Sequence, residues 1–507
     1  MKITFVVRGQ ESLAVEYLSA ILKNSGYDTE LVFDPGLFDP FLNRHSTLAS
    51  FFSHRDYIID KIVNSAPDLV AFSVFSDIYS WACEIAFSLK QKIQTPIIFG
   101  GIHPTAVPEI VIKNDFVDYV CVGEGEEALV ELVESLEENK DISTIKNVFA
   151  KNKGVIQKNS LRPLIANLDA LPFPDKELFL KEYKDFITNT YWCITGRGCP
   201  CRCTFCYMSS LKNIYKEQKV YLRRRSVDNV IAELILAKEK YKIKNVIFFD
   251  SIFTYDLGWL REFCHKYGKN INLPFICDVH AQYITEEVVS LLDMSGCALV
   301  NLGVQTAGEK LRKEILNRQE TNQQIIQAFK FFDKTPITLY AHLIFNLPGQ
   351  EAEDFLSTAR FLNRNKPEAI YPFWLQYYPR TEIVKIAQKK KLLSEEDIRN
   401  LEEKNDCLPV ASKSSKDVKN FVRLISESLN FPVFLFDWIL DRKYYKKKYI
   451  LLFIYLLIQP YSLSRKIHKK FFIKKRKFYY INTIFQGKFV LYYLLKLYKF
   501  KQRSSGR

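Results

Sequence analysis

Short apolar runs alternate with stretches of helical spacing over most of this chain. Ile3–Val7 reads as a buried strand, and Glu11 to Asn24 carries Leu13, Val15, Leu18, Ile21 and Leu22 at helical intervals. Asp68–Ser73, Pro96–Phe99 and Tyr119–Val122 read as further strands. This is the pattern of an α/β, doubly wound (flavodoxin- or Rossmann-like) unit over residues 1–140, in which ligands sit beyond the carboxyl ends of the strands. Residues 141–190 are expected to connect, because Pro163, Pro172 and Pro174 interrupt helical spacing. The alternation resumes over residues 191–395 with Tyr191–Thr195, Val246–Phe249, Phe275–Asp278, Leu299–Val304, Thr338–Phe345 and Ile370–Gln376. Six strand–helix units predict a partial (β/α)6 barrel, with its chemistry at the strands' carboxyl ends. Residues 396–507 follow neither pattern; they begin with a charged helix over Glu395–Lys404 and turn aromatic and basic after Phe431.

Composition narrows the class. At 507 residues with 48 % apolar and 25 % charged residues, the chain can hold two or three folded domains. The apolar run after Lys2 is too short for a signal peptide, and no run approaches the roughly 18 residues of a membrane span. Eleven cysteines in so long a chain do not make a secreted disulfide framework, so a reducing, cytoplasmic location is expected. The net charge of +15 is concentrated: residues 441–507 carry 19 Lys and Arg against Asp441 alone, leaving 15 − 18, or about −3, for the rest. Lysines beside aromatic and leucine residues, as around Tyr449–Ile458, suit a helix lying in an anionic headgroup layer on the inner face of a membrane. RNA binding and a tail that closes over the barrel are the other readings of the same stretch.

The chemistry centres on Gly196–Tyr207, GRGCPCRCTFCY. Cys199, Cys203 and Cys206 have the spacing C-x3-C-x2-C, with Cys201 between them. A loop this tight cannot pair all its cysteines as disulfides without strain, whereas thiolates suit zinc or an iron–sulfur cluster. Closed sites of either kind take four protein ligands. No second C-x2-C is present, and Cys83, Cys121, Cys193, Cys264, Cys277, Cys297 and Cys407 stand singly. Three ligands would leave one iron of a cubane open; a zinc knuckle or a coincidental cysteine-rich loop are the alternatives.

The motif, with Phe205 before its last cysteine, resembles that of radical S-adenosylmethionine (SAM) enzymes. The resemblance implies a [4Fe–4S] cluster on Cys199, Cys203 and Cys206, with SAM on the open iron and a 5′-deoxyadenosyl radical as the product of its reductive cleavage. Cys201 lies outside the motif. Later landmarks agree in order. Phe205, by its place in the motif, is implied as a SAM contact; Phe248–Phe253 is similar to the segment that holds the SAM amino group, without the full GGE form, and implies Asp250. Gly303–Thr306 resembles the fourth-strand segment and implies Gln305. Arg318 matches a basic residue near the SAM carboxylate, Leu347–Gln350 resembles the L-P-G-[EQ] turn, and Pro379–Thr381 stands where P-G-T is usual. For Asp250 and Arg318 a strand-end cap and an ion pair are the plainer readings.

GGIHPTAVPE and VGEGE, at the ends of predicted strands, resemble the cobalamin-binding domain that precedes many radical SAM cores. The cobalamin contacts implied are Glu11, Ser12, Ser73, Gly100, Gly101, His103, Thr105, Gly123, Glu124, Gly125 and Glu126. The D-x-H-x-x-G motif of another cobalamin family is absent, its nearest likeness being Asp278-Val-His280, so the lower face of cobalt is unassigned. His103 reads equally as a histidine that holds its turn, and the whole unit as a relative that has lost the cofactor. The carboxylates of Glu124 and Glu126 argue against a phosphate site.

The combined resemblance is to cobalamin-dependent radical SAM enzymes, many of them methylases. It implies flavodoxin or ferredoxin as electron donor and methyl transfer to an unactivated carbon of a lipid-like or secondary-metabolite substrate. The alternatives are cyclisation or rearrangement, RNA modification (nucleic acid is not the expected partner), and a metal-stapled binding protein without turnover.

Overall fold

The structure, a computed structural model, describes residues 1–36, 54–152, 155–182, 190–218, 221–404 and 416–446. Two largely parallel sheets organise it. In the first, β1 (Lys2–Arg8), β2 (Asp28–Asp34), β3 (Leu69–Ser73), β4 (Ile97–Gly100) and β5 (Tyr119–Cys121) are followed by a hairpin, β6 (Val148–Asn152) and β7 (Val155–Lys158). The order is β2-β1-β3-β4-β5-β6-β7, with all pairs parallel up to β5. β1 therefore lies between β2 and β3, and the direction of winding reverses beside it. At this switch point helices on opposite faces diverge and leave a crevice. The strands are buried on both faces: Phe5, Val7 and Ala71 face one core, and Val6, Val70 and Phe72 face the other.

Two elements differ from the sequence reading. β2 was not expected; its first half, Asp28–Glu30, is polar, because this edge strand buries only Leu31 to Asp34. The hairpin β6–β7 falls within the stretch read as a connector and adds antiparallel strands to the first sheet.

The second sheet takes up β8 (Thr190–Cys193), β11 (Asn245–Phe248), β12 (Phe275–Val279), β13 (Cys297–Gln305), β14 (Thr338–Phe345) and β15 (Ala369–Trp374) in chain order, all parallel. A two-stranded ribbon, β9 (Gly196–Arg197) with β10 (Arg223–Arg224), closes the loop after β8. Among the described residues, helices cover only the outer face. β13 and β14 therefore alternate buried and part-exposed residues: Val300, Leu302, Leu339 and Ala341 are in the core, and Asn301, Gly303, Tyr340 and His342 look inward.

The two units meet through charge pairs, some buried and one at the surface. Lys176 Nζ lies 2.6 Å from both Glu11 and Glu16. Arg197 and Arg223 reach Glu124 at 3.0 and 2.8 Å, and Arg380 reaches Glu109 at 2.7 Å. Helices Lys416–Glu427 and Val433–Asp441 pack on Ala352–Arg364, where Phe355 stacks on Phe421 and Asn363 donates to the carbonyls of Ser428 and Phe431. The expected helix at Glu395–Lys404 spans Glu395–Glu403. No helix among the described residues is long and apolar enough to cross a membrane. The basic stretch around Tyr449–Ile458 lies outside the described residues.

Candidate active site between two strand-end faces

The cysteine loop leaves β8 and the ribbon and enters a helix, Tyr207–Ile214, at Cys206. Its backbone is held from outside. Thr204 donates its amide to Leu316 O at 3.1 Å and its hydroxyl to Ile315 O at 2.5 Å, and its carbonyl accepts from Ile383 N at 3.0 Å. Asn317 Nδ2 donates to Arg202 O at 2.9 Å. Loops after β13 and β15 thus anchor the loop after β8.

Cys201, outside the motif, has its thiol beside those of Cys199 and Cys203. This brings the Cys199 thiol down to about 7, lowers Cys203 and raises Cys201 itself. Burial instead pushes Cys206 up to about 11.

Arg318 is buried beside this loop. Its Nε donates to Glu320 Oε1 at 2.5 Å, its Nη2 to Gly303 O at 2.8 Å, and its Nη1 stands 3.9 Å from Cys203 Sγ. Burial opposes its charge, but Cys203 and Glu320 together hold the guanidinium above its ordinary pKa. Glu320 is itself buried, with Oε2 3.4 Å from His280 Nε2. His280 Nδ1 accepts from Gln282 N at 3.2 Å, so this ring carries its proton on Nε2, facing the carboxylate.

Gln305 has φ +63° at a break in the β13–β14 register. This turns its side chain back over Gly303, where a Cβ would stand 2.5 Å from Gln305 Nε2. Phe205 packs against the small core of Leu316, Leu347 and Tyr377. Asp250 accepts from the Thr195 amide at 3.0 Å and hydroxyl at 2.6 Å, the strand-end cap that sequence left as its plainer reading. Burial raises the Asp250 carboxyl in spite of Arg224 and Thr195.

Facing the cysteine loop, a cavity of about 430 Å³ opens at the switch point of the first sheet. Ser73, Gly100, Gly101, Thr105, Gly123, Glu124, Gly125 and Glu126 line it, together with Phe72 and Leu129 below and Tyr207, Tyr215 and Arg197 from the opposite unit. Gly123 is required twice over, by φ +80° and because a Cβ would lie 1.8 Å from Tyr215 Oη. The acidic loop is neutralised: Arg197 and Arg223 hold Glu124 below its ordinary pKa despite burial, and Arg197 also pairs with Glu126.

Three implied contacts do not line the cavity. Glu11 is paired with buried Lys176. Ser12 caps the helix Leu13–Asn24 by accepting from Val15 N. His103 is fully buried and stacked on Tyr79 at 4.0 Å, with Nδ1 3.1 Å from Ser76 Oγ and Nε2 3.2 Å from Glu402 O; burial lowers it to about 4. It holds its turn against the helix Glu395–Glu403. Sequence reasoning missed Arg197, Tyr207, Tyr215, Arg223 and Glu320. Arg197 and Tyr207 flank the cysteine motif and Glu320 follows Arg318 by two residues; Tyr215 and Arg223 carried no local signal.

The donor set fits the implied groups. Among the described residues no three or more His, Cys, Asp or Glu converge as they would on a single ion. A cubane binds each cysteine through a separate iron, so its ligands need not converge on one point. The cavity is mainly apolar, glycine-edged and walled by both units, as a large flat cofactor requires.

Fold and site together give an α/β protein with a four-cysteine loop at the strand ends of one sheet and a mainly apolar crevice facing it. A model of the radical SAM superfamily matches residues 193–362, and one of the B12 binding domain matches residues 7–133. The chain is a radical SAM enzyme carrying a B12-binding domain, with a [4Fe–4S] cluster, SAM and cobalamin as its cofactors. An uncharacterized methyltransferase of Pyrococcus horikoshii is 28 % identical over 314 residues, 60 % of this chain and 66 % of that protein. The anaerobic magnesium-protoporphyrin IX monomethyl ester cyclase of Rubrivivax gelatinosus is 24 % identical over 390 residues, 72 % of this chain and 64 % of that protein. The chain thus spans about two thirds of the length of these curated relatives. The radical SAM methyltransferase TsrM of Kitasatospora setae, solved with cobalamin and a [4Fe-4S] cluster bound, shares the fold with a TM-score of 0.61 at 15 % identity, covering 76 % of this chain and 75 % of that one.

Proposed function

We propose that this enzyme methylates an unactivated carbon of a lipid-like or secondary-metabolite substrate. The observation that carries the reading is the opposition of the cysteine loop and the glycine-edged cavity across one space, with Tyr207 belonging to both. When bound, the cluster, SAM and cobalamin supply reductive cleavage of SAM and a transferable methyl group. The chain's own residues hold and orient. Cys199, Cys203 and Cys206 are the cluster ligands, with Cys201 as a thiol donor beside them. Arg318, fixed by Glu320 and Gly303 O, offers the SAM carboxylate a guanidinium edge, and Gln305 folds over the same position. Ser73, Gly100, Gly101, Thr105 and Gly123 give cobalamin a small-residue edge, and Tyr215 and Tyr221 exclude water from the side of the barrel.

The test uses anaerobically reconstituted protein given SAM, a reductant, hydroxocobalamin and a lipid extract. Accumulation of both 5′-deoxyadenosine and S-adenosylhomocysteine is expected. 5′-Deoxyadenosine alone would favour a second reading, ring closure without methyl transfer, which the likeness to the magnesium-protoporphyrin cyclase supports. Flavodoxin or ferredoxin would supply the electron. The basic, aromatic sequence of residues 441–507 supports docking on an anionic membrane surface. Vesicle binding should fall when those residues are deleted, and equal binding would refute the docking.

A further inference from the structure

The helix Val433–Asp441 shows two unlike sides. Phe436, Ile439 and Leu440, three and four residues apart, are buried where the helix packs on Ala352–Arg364. Phe434 and Trp438 fall on the opposite side, 78 and 45 % exposed, with Val433 at its edge. Phe434 is the most exposed large apolar side chain among the described residues. Isolated apolar residues are ordinary on a protein surface, but an aromatic pair on one helix face marks a contact. Tyr444, with its ring centre 4.9 Å from that of Trp438, carries the aromatic surface past the end of the helix.

Charge around this face has one sign. The two acids of the helix are already paired: Asp437 accepts from Arg364 at 3.1 Å and Asp441 from Arg360 at 3.0 Å. Arg442, Lys443 and Lys446 follow, all exposed, and the sequence beyond Asp441 holds no acidic residue. The helix runs antiparallel to Ala352–Arg364, because Asn363 meets Ser428 and Phe431 at one end while Lys446 shares a cavity with Gln350 at the other. Gln350 follows β14, so the basic end of the face lies at the same end of the barrel as the cysteine loop.

An aromatic face with a cationic margin complements an anionic lipid surface, where rings settle at headgroup level and lysines reach the phosphates. A second copy of the chain, or its own basic tail, would instead bring cations against cations.

We propose that Phe434 and Trp438 are an apolar wedge that enters the headgroup layer of an anionic membrane, with Arg442, Lys443 and Lys446 on the phosphates around it. The assignment rests on the membrane docking proposed above: there the basic sequence of residues 441–507 supplies attraction, and here a folded helix supplies insertion. It also fixes an orientation, in which the barrel rests on the flank that carries Val433–Asp441.

The experiment uses full-length reconstituted holoenzyme with vesicles of phosphatidylcholine and phosphatidylglycerol, against vesicles of phosphatidylcholine alone. Binding is expected to the anionic vesicles. Phe434→Ser and Trp438→Ser should each weaken it about tenfold, as partial burial of one aromatic side chain predicts, and Phe434→Leu should retain most of it. Brominated lipid should quench the tryptophan emission of the wild type. Trp438→Phe should remove most of that quenching, because Trp81, Trp192, Trp259 and Trp374 belong to the two sheet units. Cluster iron and SAM cleavage in lipid-free solution should be unchanged in these variants. Wild-type binding that both serine variants match, or that brings no quenching, would remove the wedge and leave docking to the basic tail alone. Equal binding to the two kinds of vesicle would refute the anionic partner. If the wild type binds neither, the docking reading fails and the wedge with it. In lipid-free solution, a lower denaturant midpoint for Phe434→Ser would show that the chain itself covers this face. Conversion of a dimer to a monomer by the same variant would show that a second copy does, and either result would overturn the proposal.

Discussion

The two parallel sheets have the same local grammar and make different kinds of site. In the first, helices cover both faces, the strands are buried almost continuously, and side chains are consumed by packing. What remains for a ligand is backbone at the strand ends, so its cavity is edged by Gly100, Gly101 and Gly123. In the second, among the described residues, helices cover one face, the strands alternate, and polar and aromatic residues such as Asn301, Tyr340 and His342 stand part-exposed on the other. Parallel strands usually read as unbroken apolar runs because both faces are covered. A parallel strand that alternates, such as TLYAHLIF at β14, therefore marks a face left open.

The largest effect that separates the two sites is expected from Cys203→Ala. It should remove cluster iron and SAM cleavage altogether while cobalamin binding to the first unit persists. Retained cleavage would overturn the ligand assignment, and joint loss of cobalamin would show that the sites do not form independently.

Glu320→Gln tests whether the second site depends on buried side-chain charge. Removing one partner of a buried ion pair costs about 3–5 kcal/mol. The variant should therefore lower the denaturant midpoint and weaken SAM binding, with cobalamin affinity unchanged. A midpoint within error of wild type would mean that Arg318 is held by Gly303 O alone.

His103 supplies the counterpart in the first unit. Its folded pKa of about 4 lies below the ordinary 6.5, so the unfolded chain binds the extra proton first. Stability is complete above pH 6.5 and falls as pH drops from 6.5 toward 4, by about 3 kcal/mol at most. His280 and His342, lowered to about 3 and 4, add slopes of the same sign. His103→Phe, which keeps a ring over Tyr79, should flatten this part of the pH–stability curve; an unchanged slope would place the titration elsewhere.

Gly123→Ala should cost about 2 kcal/mol through its left-handed backbone and the crowding of Tyr215. It should also weaken cobalamin while sparing the cluster. Adding Tyr215→Phe removes the atom 1.8 Å from the new Cβ and should restore part of the loss. Without any recovery, backbone strain would be the whole cause.

The smallest effect is expected at the surface tie between the units. Arg380 and Glu109 are 50 and 33 % exposed, so Arg380→Ala should change stability by about 0.5 kcal/mol, less at high salt. A cost above about 2 kcal/mol would mean that this bridge is part of the fold's core.

Much of this was legible in the chain alone. Strand periodicity located all six strands of the second sheet, and cysteine spacing isolated the cluster loop, because both signals are local and repeat at fixed intervals. β2 escaped because an edge strand need bury only part of its length, and β6–β7 because a hairpin added to a sheet edge leaves no helical spacing around it. What only the tertiary structure decided was pairing across distance. Motif position made Glu11, Ser12 and His103 equal candidates with Ser73 and Gly101. Packing separated them, since Lys176, the helix cap and Tyr79 each claim a side chain that the sequence left free. Likewise Glu124 and Glu126 read as a repelling acidic loop until Arg197 and Arg223, about 70 and 100 residues away, met them. Sequence determines which residues a strand end presents, because that depends on neighbours in the chain. It does not determine which of them remain available, because charge pairing, capping and stacking are satisfied by whatever the fold brings alongside.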